Sequence, residues 1–265
     1  MLGLATIKDY DDYTYTHSVN VALLATCLGR QIGLSNVFLE YLTICGLFHD
    51  LGKVGVSKEI LHKTGDLNEE EWNEMRNHPL IGVKKIIRLK APHILKAKII
   101  LGPFEHHLNP DLTGYPQTHF IKELSLTGKI LRIADVYEAL TSDRDYRSQT
   151  FTPDEALRHM WGYRNKKFDL LLLKSFINML GLYPIGSIVE LTSGEIGLVI
   201  DYHDESAKHM PVILLLVDNG REWIRGEMVN IASPEQEADT QCKNIVRGIN
   251  PALLGIQPSE FFCSI

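Results

Sequence analysis

Ser35-Asn36-Val37-Phe38-Leu39-Glu40-Tyr41-Leu42-Thr43-Ile44-Cys45-Gly46-Leu47-Phe48-His49-Asp50 reads as one helix whose last turn carries chemistry. Ser35 is a candidate N-cap, since its hydroxyl can accept from an amide of the first turn. Phe38, Leu42, Cys45 and His49 then recur at helical spacing and mark a buried stripe. Such a helix delivers His49 and Asp50 into an interior cleft. Working outward from it, His17 lies upstream, and His78, the adjacent pair His106-His107 and Asp135 lie downstream. Imidazole and carboxylate together suit iron, manganese, zinc or nickel, and these seven groups exceed what one tetrahedral ion can use. A carboxylate shared between two ions would seat them close together, as in-line phosphoryl chemistry requires.

The whole-chain composition narrows the setting. At 265 residues the chain has room for one large domain, or for one medium and one small domain. Hydrophobic content of 45% and charged content of 23% predict a real core and argue against disorder. A net charge of −6 argues against a general DNA or RNA binder, which would need a basic stripe. A small phosphate ligand is still compatible, because bound cations invert the local field. Cys27, Cys45, Cys242 and Cys263 form no C-x-x-C pair, so a reducing, cytoplasmic setting is expected. No apolar stretch is long enough to span a bilayer, and Met1 to Asp9 lacks the character of a signal peptide.

Up to about Gly181 the pattern is helical. Val19, Leu23 and Cys27 recur at helical spacing after Thr16. Asn68 followed by Glu69-Glu70-Glu71 predicts a helix running to Asn77 and stopping at His78-Pro79. Ile94 to Glu105 is expected as one helix delivering His106-His107, and Asn109 to Phe120 as a loop. A long helix from about Ser125 to Ser142 would carry Asp135 in its middle. Thr152-Pro153-Asp154-Glu155 reads as a cap, a first-turn proline and an acidic first turn, and Phe168 to Leu180 as a closing helix. Beyond Pro184 the character changes to short β-branched runs: Ser187 to Leu191, Ile196 to Tyr202, Val212 to Val217 and Glu222 to Ile224. Asn219-Gly220 is a strong hairpin signal between the last two. The expected fold class is mainly α: a helical bundle over 1–181, then a small antiparallel β-module with an irregular tail over 182–265. The tail from Ser233 is expected to hold only turns and weakly helical pieces.

Phe48-His49-Asp50-Leu51-Gly52-Lys53 resembles the signature of the HD superfamily of metal-dependent phosphohydrolases. His106-His107 followed by Asp111-Leu112-Thr113-Gly114-Tyr115-Pro116 is similar to the defining segment of its HD-GYP subgroup. Lys129 to Asp135, continued by Ala139-Leu140-Thr141-Ser142-Asp143-Arg144, resembles that subgroup's last motif. The resemblance covers roughly His17 to Leu180, with its motifs in the expected order. It implies a phosphodiesterase that hydrolyses cyclic di-GMP, or a related bacterial cyclic dinucleotide, to pGpG or GMP using a metal-bridging hydroxide. It would place His17, His49, Asp50 and Asp135 on one ion. Asp50, His78, His106 and His107 would hold the other, with Asp50 bridging. Two iron or manganese ions are the expected cofactors, and nickel and zinc accept the same donors. Lys53 would reach a bound phosphate, Arg144 and Arg147 would clamp a phosphate or a guanine edge, and Tyr115 would contact the nucleotide. Further candidate partners are signalling proteins, at the Gly-Tyr-Pro loop or the β-module, and a second copy of the chain.

Two departures from the family pattern stand out. Members that bind a third metal carry a glutamate four residues before the first histidine, where this chain has Tyr13, so a dinuclear site is expected. Leu108 and Leu112 stand where the family commonly shows Glu and Gly; the first removes a carboxylate near the site and the second stiffens the loop. A catalytically weak cyclic-dinucleotide receptor and an HD hydrolase of another nucleotide phosphate ester are the rival readings. The remaining histidines, His62 and His93 among them, read as surface or hydrogen-bonded residues.

Overall fold

The computed structural model describes residues 7–117, 121–142, 150–202, 211–231 and 243–262. These form two compact units: 7–142 with 160–179, and 150–159 with 180–262.

The first unit is helical. Helix α1 (Asp12–Gln31) is capped by the Asp11 carboxylate, which accepts from the Thr14 amide at 2.8 Å. Its inner face is made by His17, Val21, Ala22, Ala25 and Leu28. The Val19, Leu23, Cys27 spacing is helical as expected, but that stripe faces outward, with Leu23 63% exposed. The reason is close packing on α2 (Asn36–Phe48), where a Cβ added at Gly46 would stand 2.6 Å from the Ala22 backbone. So near an approach requires a small residue at Ala22, and it sets the Ala22 side of α1 inward. On α2, Ser35 accepts from the Phe38 amide, and Leu42, Cys45 and His49 are fully buried.

A 3₁₀ turn, Leu51–Gly55, follows Asp50. Any side chain at Gly52 would overlap the His78 carbonyl oxygen, so the glycine lets this turn press against the start of the helix that carries His78. Two short helices come next, α3 (Lys58–Leu61) and α4 (Glu69–Arg76). The second opens on a reciprocal capping box between Asn68 and Glu71. The sequence reading stops at His78-Pro79, yet a new helix, α5 (His78–Ile87), begins there. Proline is well suited to a first turn, where its missing N–H has no intrahelical partner to lose.

The helix expected over Ile94 to Glu105 is interrupted. It forms as α6 (His93–Ile99) and α7 (Leu101–Glu105). Pro103 has no N–H to give the Ile99 carbonyl, and the Cys45 thiol lies 3.7 Å from that oxygen instead. Helix α8 (Leu126–Thr141) is capped by Ser125, which accepts from the Gly128 amide at 3.0 Å and donates to the Glu105 carboxylate. That link ties the end of α7 to the start of α8.

Helix α9 (Pro153–Gly162) begins in the second unit, and α10 (Leu170–Leu180) belongs to the first apart from its last residue. The sequence boundary at 181/182 leaves 150–159 with the helical part, whereas the structure groups them with the sheet. Gly248 explains the grouping: a Cβ there would overlap the Asp154 carboxylate, so the start of α9 lies directly on a strand.

That strand corrects the reading of the tail. The sheet is five-stranded and antiparallel throughout, with β1 (Ile188–Leu191), β2 (Ile196–Tyr202), β3 (Pro211–Asp218), β4 (Trp223–Asn230) and β5 (Ile245–Ile249) in the order β4-β3-β2-β1-β5. The pattern missed β5 because it is short, contains Gly248 and lies at the sheet edge. Both faces are covered: Val189, Val199, Ile213 and Leu215 pack with Tyr183 on one side. Ile188, Leu198, Leu214 and Leu216 pack with Ile256 and Phe261 on the other. Two covered faces account for the unbroken apolar run of β3.

Candidate metal centre

Five helical segments converge on one interior cluster. α1 supplies His17, the end of α2 supplies His49 and Asp50, the first residue of α5 is His78, the end of α7 leads into His106 and His107, and α8 carries Asp135. All are buried except His107, which is half-buried. The donors separate into two groups around Asp50. Its Oδ2 lies 3.4 Å from His17 Nε2 and 3.3 Å from His49 Nε2. Its Oδ1 lies 3.4 Å from His78 Nε2 and 3.7 Å from His106 Nε2. Asp135 Oδ1 joins the first group, 3.2 Å from His17 Nε2 and 3.9 Å from His49 Nε2. His107 joins the second.

The backs of the imidazoles fix their tautomers. His49 Nδ1 donates to the Gly46 carbonyl at 2.7 Å, His78 Nδ1 to that of Met75 at 2.7 Å, and His106 Nδ1 to that of Pro103 at 2.9 Å. His17 Nδ1 is bonded to the Glu138 carboxylate. A ring that donates through Nδ1 keeps a lone pair on Nε2. Yet the Nε2 atoms of His78 and His106, two rings that burial keeps neutral, stand 3.2 Å apart. Lone pairs that face one another at this distance repel unless a cation lies between them. Asp50 Oδ1, buried and without a hydrogen-bond partner, points the same way. The donor set fits divalent cations.

The local field is strongly polarised. Burial works against the charged form of Asp50, but Lys53 and His49 hold its pKa well below the usual carboxylate range. Asp135 is depressed likewise, against its own burial, by His17 and His49. Burial lowers His17 too, but is outweighed by hydrogen bonds to Asp135, Asp50 and Glu138, and its pKa is raised. In the second group burial dominates, pushing His78 down to about 4 and His106 and His107 well below the ordinary imidazole value. Two carboxylates thus face the first group and one serves both.

Lys53 places Nζ 2.6 Å from Asp50 Oδ2 and lines the cavity at the cluster's edge. The Tyr115 ring packs against His107, centroids 4.4 Å apart, and Gly114 passes so near the His107 carbonyl that no side chain fits. Tyr13 stacks near His17 at 6.0 Å. Leu108 is fully buried, and Leu112 adopts φ 65°, the left-handed region that glycine would occupy without strain. Arg144 and Arg147 lie outside the described residues. Lys53, Tyr13 and Tyr115 line a cavity of about 450 Å³ that reaches His78 and His107 and extends to His62 and Trp72.

Sequence reasoning missed the residues behind the donors. Asn20 and Ser142 hold the second oxygen of Glu138 at 3.1 and 2.6 Å. Arg132 Nη2 donates to Asn109 Oδ1 at 2.8 Å, pinning the segment after the histidine pair to α8. Glu138 and Arg132 each lie three positions from Asp135, and neighbours at that spacing share a helix face. That spacing was the available signal.

The HD domain family matches residues 5–172, and the chain belongs to it. Family membership, with the histidine and aspartate cluster, implies divalent-metal binding. The chain is similar to the cyclic di-GMP phosphodiesterase PA4108 of Pseudomonas aeruginosa, 35% identical over 206 residues, covering 78% of this chain and 49% of that one. It is 30% identical over 222 residues to the cyclic di-GMP phosphodiesterase PdeB of Borreliella burgdorferi, covering 84% and 57%. The chain therefore spans about half the length of these curated relatives. Its fold resembles that of Bd1817, a HDG"Y"P protein from Bdellovibrio bacteriovorus, with a TM-score of 0.50 at 18% identity, covering 62% of this chain and 51% of that one. Among the described residues no helix is long and apolar enough to cross a membrane.

Proposed function

We propose that the chain is a metal-dependent phosphodiesterase that hydrolyses a cyclic dinucleotide, cyclic di-GMP first among them, to pGpG or GMP. The observation that carries this reading is Asp50, whose two carboxylate oxygens face two separate sets of imidazole nitrogens. His17, His49, Asp50 and Asp135 would hold one ion, and Asp50, His78, His106 and His107 the other, with iron or manganese as the metals. When bound, such a pair lowers the pKa of water and offsets charge on a reacting phosphate. The chain's own residues prepare the place. The Nδ1 acceptors hold the Nε2 atoms inward, and Lys53, beside Asp50, is positioned to meet an anionic phosphate. Tyr115 forms a wall of the cavity, and we assign Arg144 and Arg147 to the substrate. The names of the two relatives support the substrate class. The sheet unit supplies none of these seven donors, and we assign it a stabilising role.

A second reading, a receptor that binds the dinucleotide with little turnover, draws on Leu108, a buried apolar side chain where the family commonly shows a carboxylate. Chain purified without oxygen, loaded with manganese or iron(II) and incubated with cyclic di-GMP, separates the two when products are read by chromatography. Metal-dependent release of pGpG or GMP is expected. Binding without turnover favours the receptor, and neither binding nor turnover overturns both.

A further inference from the structure

The outer part of the cavity is built by a helix with an unusual composition. Helix α4 contains no buried residue. It is held by its capping box, by Lys63 Nζ on Glu71 at 2.5 Å, and by the Ser57 amide on Glu74 at 2.8 Å. A helix without a core contribution has few reasons to carry an indole, yet Trp72 sits at its centre. Trp72 is 40% exposed and lines the same cavity as Lys53, His78, His107 and Tyr115. The Arg76 guanidinium stands over its ring at 5.4 Å, a cation–π pair that fixes the plane of the indole. Across the cavity wall, His62 Nε2 is bonded to Asp11 at 3.1 Å while its side chain stays 53% exposed. The cavity thus runs from phosphate chemistry at its inner end to a flat aromatic face with a polar imidazole at its outer end.

That sequence of surfaces matches a nucleotide, whose phosphate and base lie at opposite ends of a sugar. We propose that Trp72 is the platform on which one base of the substrate stacks, with His62 at the base's polar edge. The inference rests on the cyclic-dinucleotide reading and adds a substrate-binding residue to it. Stacking on an aromatic side chain tolerates any base, because every base has a π-face. Trp72 therefore contributes to holding the dinucleotide, while selection between bases falls to groups at the edge.

The test compares one substrate and one inhibitor in Trp72→Ala, Trp72→Phe and the unsubstituted chain, all metal-loaded. Cyclic di-GMP carries bases; inorganic phosphate, a competitive inhibitor at the inner end of the cavity, carries neither a base nor any ring that could stack. Losing one stacked base should raise KM for cyclic di-GMP about tenfold or more in Trp72→Ala. Its kcat and metal content should be little changed, and Trp72→Phe should recover most of the loss. The inhibition constant of inorganic phosphate should be the same in all three. An unchanged KM for cyclic di-GMP in Trp72→Ala overturns the inference, as does a parallel weakening of cyclic di-GMP and inorganic phosphate, which would make Trp72 structural. If the unsubstituted chain leaves cyclic di-GMP intact, the substrate reading itself fails, and this inference with it.

Discussion

Glu138 and His17 lie 121 positions apart in the chain and are bonded carboxylate to Nδ1 inside the helical unit. Two further donors, Asn20 and Ser142, hold the other oxygen of Glu138 in place. A carboxylate behind a ligand histidine fixes its ring and raises its basicity, and removing such a partner weakens metal binding by about 10–100-fold. Glu138→Ala should therefore lower affinity at the His17 group by that factor and leave the His78 group little changed. Chelator competition followed by metal analysis would show it, and two ions held at unaltered affinity would remove Glu138 from this role.

Asp50→Ala should have a broader effect. Its carboxylate faces both donor groups, so the variant should lose most bound metal and nearly all turnover. Two ions retained per chain in that variant would exclude a bridging aspartate.

Metal-free chain should show a pH dependence set by the second donor group. Burial holds His78 at about 4 when folded, with His106 and His107 depressed as well. Unfolded histidine titrates near pH 6.5, so between the two values the unfolded chain binds more protons, and stability falls as pH falls. For His78 alone the loss at pH 5 is about 2 kcal/mol. His17 acts in the opposite sense, since its folded pKa is raised and its contribution is greatest at low pH. Three depressed groups against one raised group give a net fall in Tm from pH 7 to pH 5. Calorimetry of chelated protein should show that fall, and a shallower one in His78→Gln. An identical slope in the variant would mean that other groups set the dependence.

That the seven histidine and aspartate residues would lie together was legible in the sequence because few residue types suit transition metals, and their order along the chain is distinctive. The positions of Glu138 and Arg132 were not, since glutamate and arginine are ordinary on helix surfaces and only three-dimensional packing turns them toward His17 and Asn109. Helix boundaries failed where one residue type has two meanings. Pro79 stops one helix and opens the next, and Pro103 breaks a run that periodicity alone reads as continuous. The outward turn of Leu23 has another cause: spacing identifies a helical face, but only the neighbour's closeness at Gly46 decides which face goes in.

Leu112 offers a stability test independent of metal. A side chain in the left-handed region costs about 1–2 kcal/mol, part of which is offset here by its half-burial. Leu112→Gly removes the strain but frees the unfolded chain; the net expectation is a gain of up to about 1 kcal/mol. Leu112→Val, with its branched β-carbon, should lose about 1 kcal/mol or more in the same denaturant titration. A clear loss in the glycine variant would show that the leucine's packing outweighs its backbone strain.

Helix α4, with no fully buried residue, is fastened by polar contacts: its capping box, the Lys63–Glu71 pair, the Ser57 amide on Glu74 and the His78 ring on the Met75 carbonyl. Such a segment can open while the rest of the unit stays folded, because little apolar surface is exposed when it does. Its amides should exchange with solvent hydrogen far sooner than those of α2 or α8, whose opening requires the core to come apart. Solvent would then read the wall of the cavity as a separate, faster clock than the metal cluster behind it.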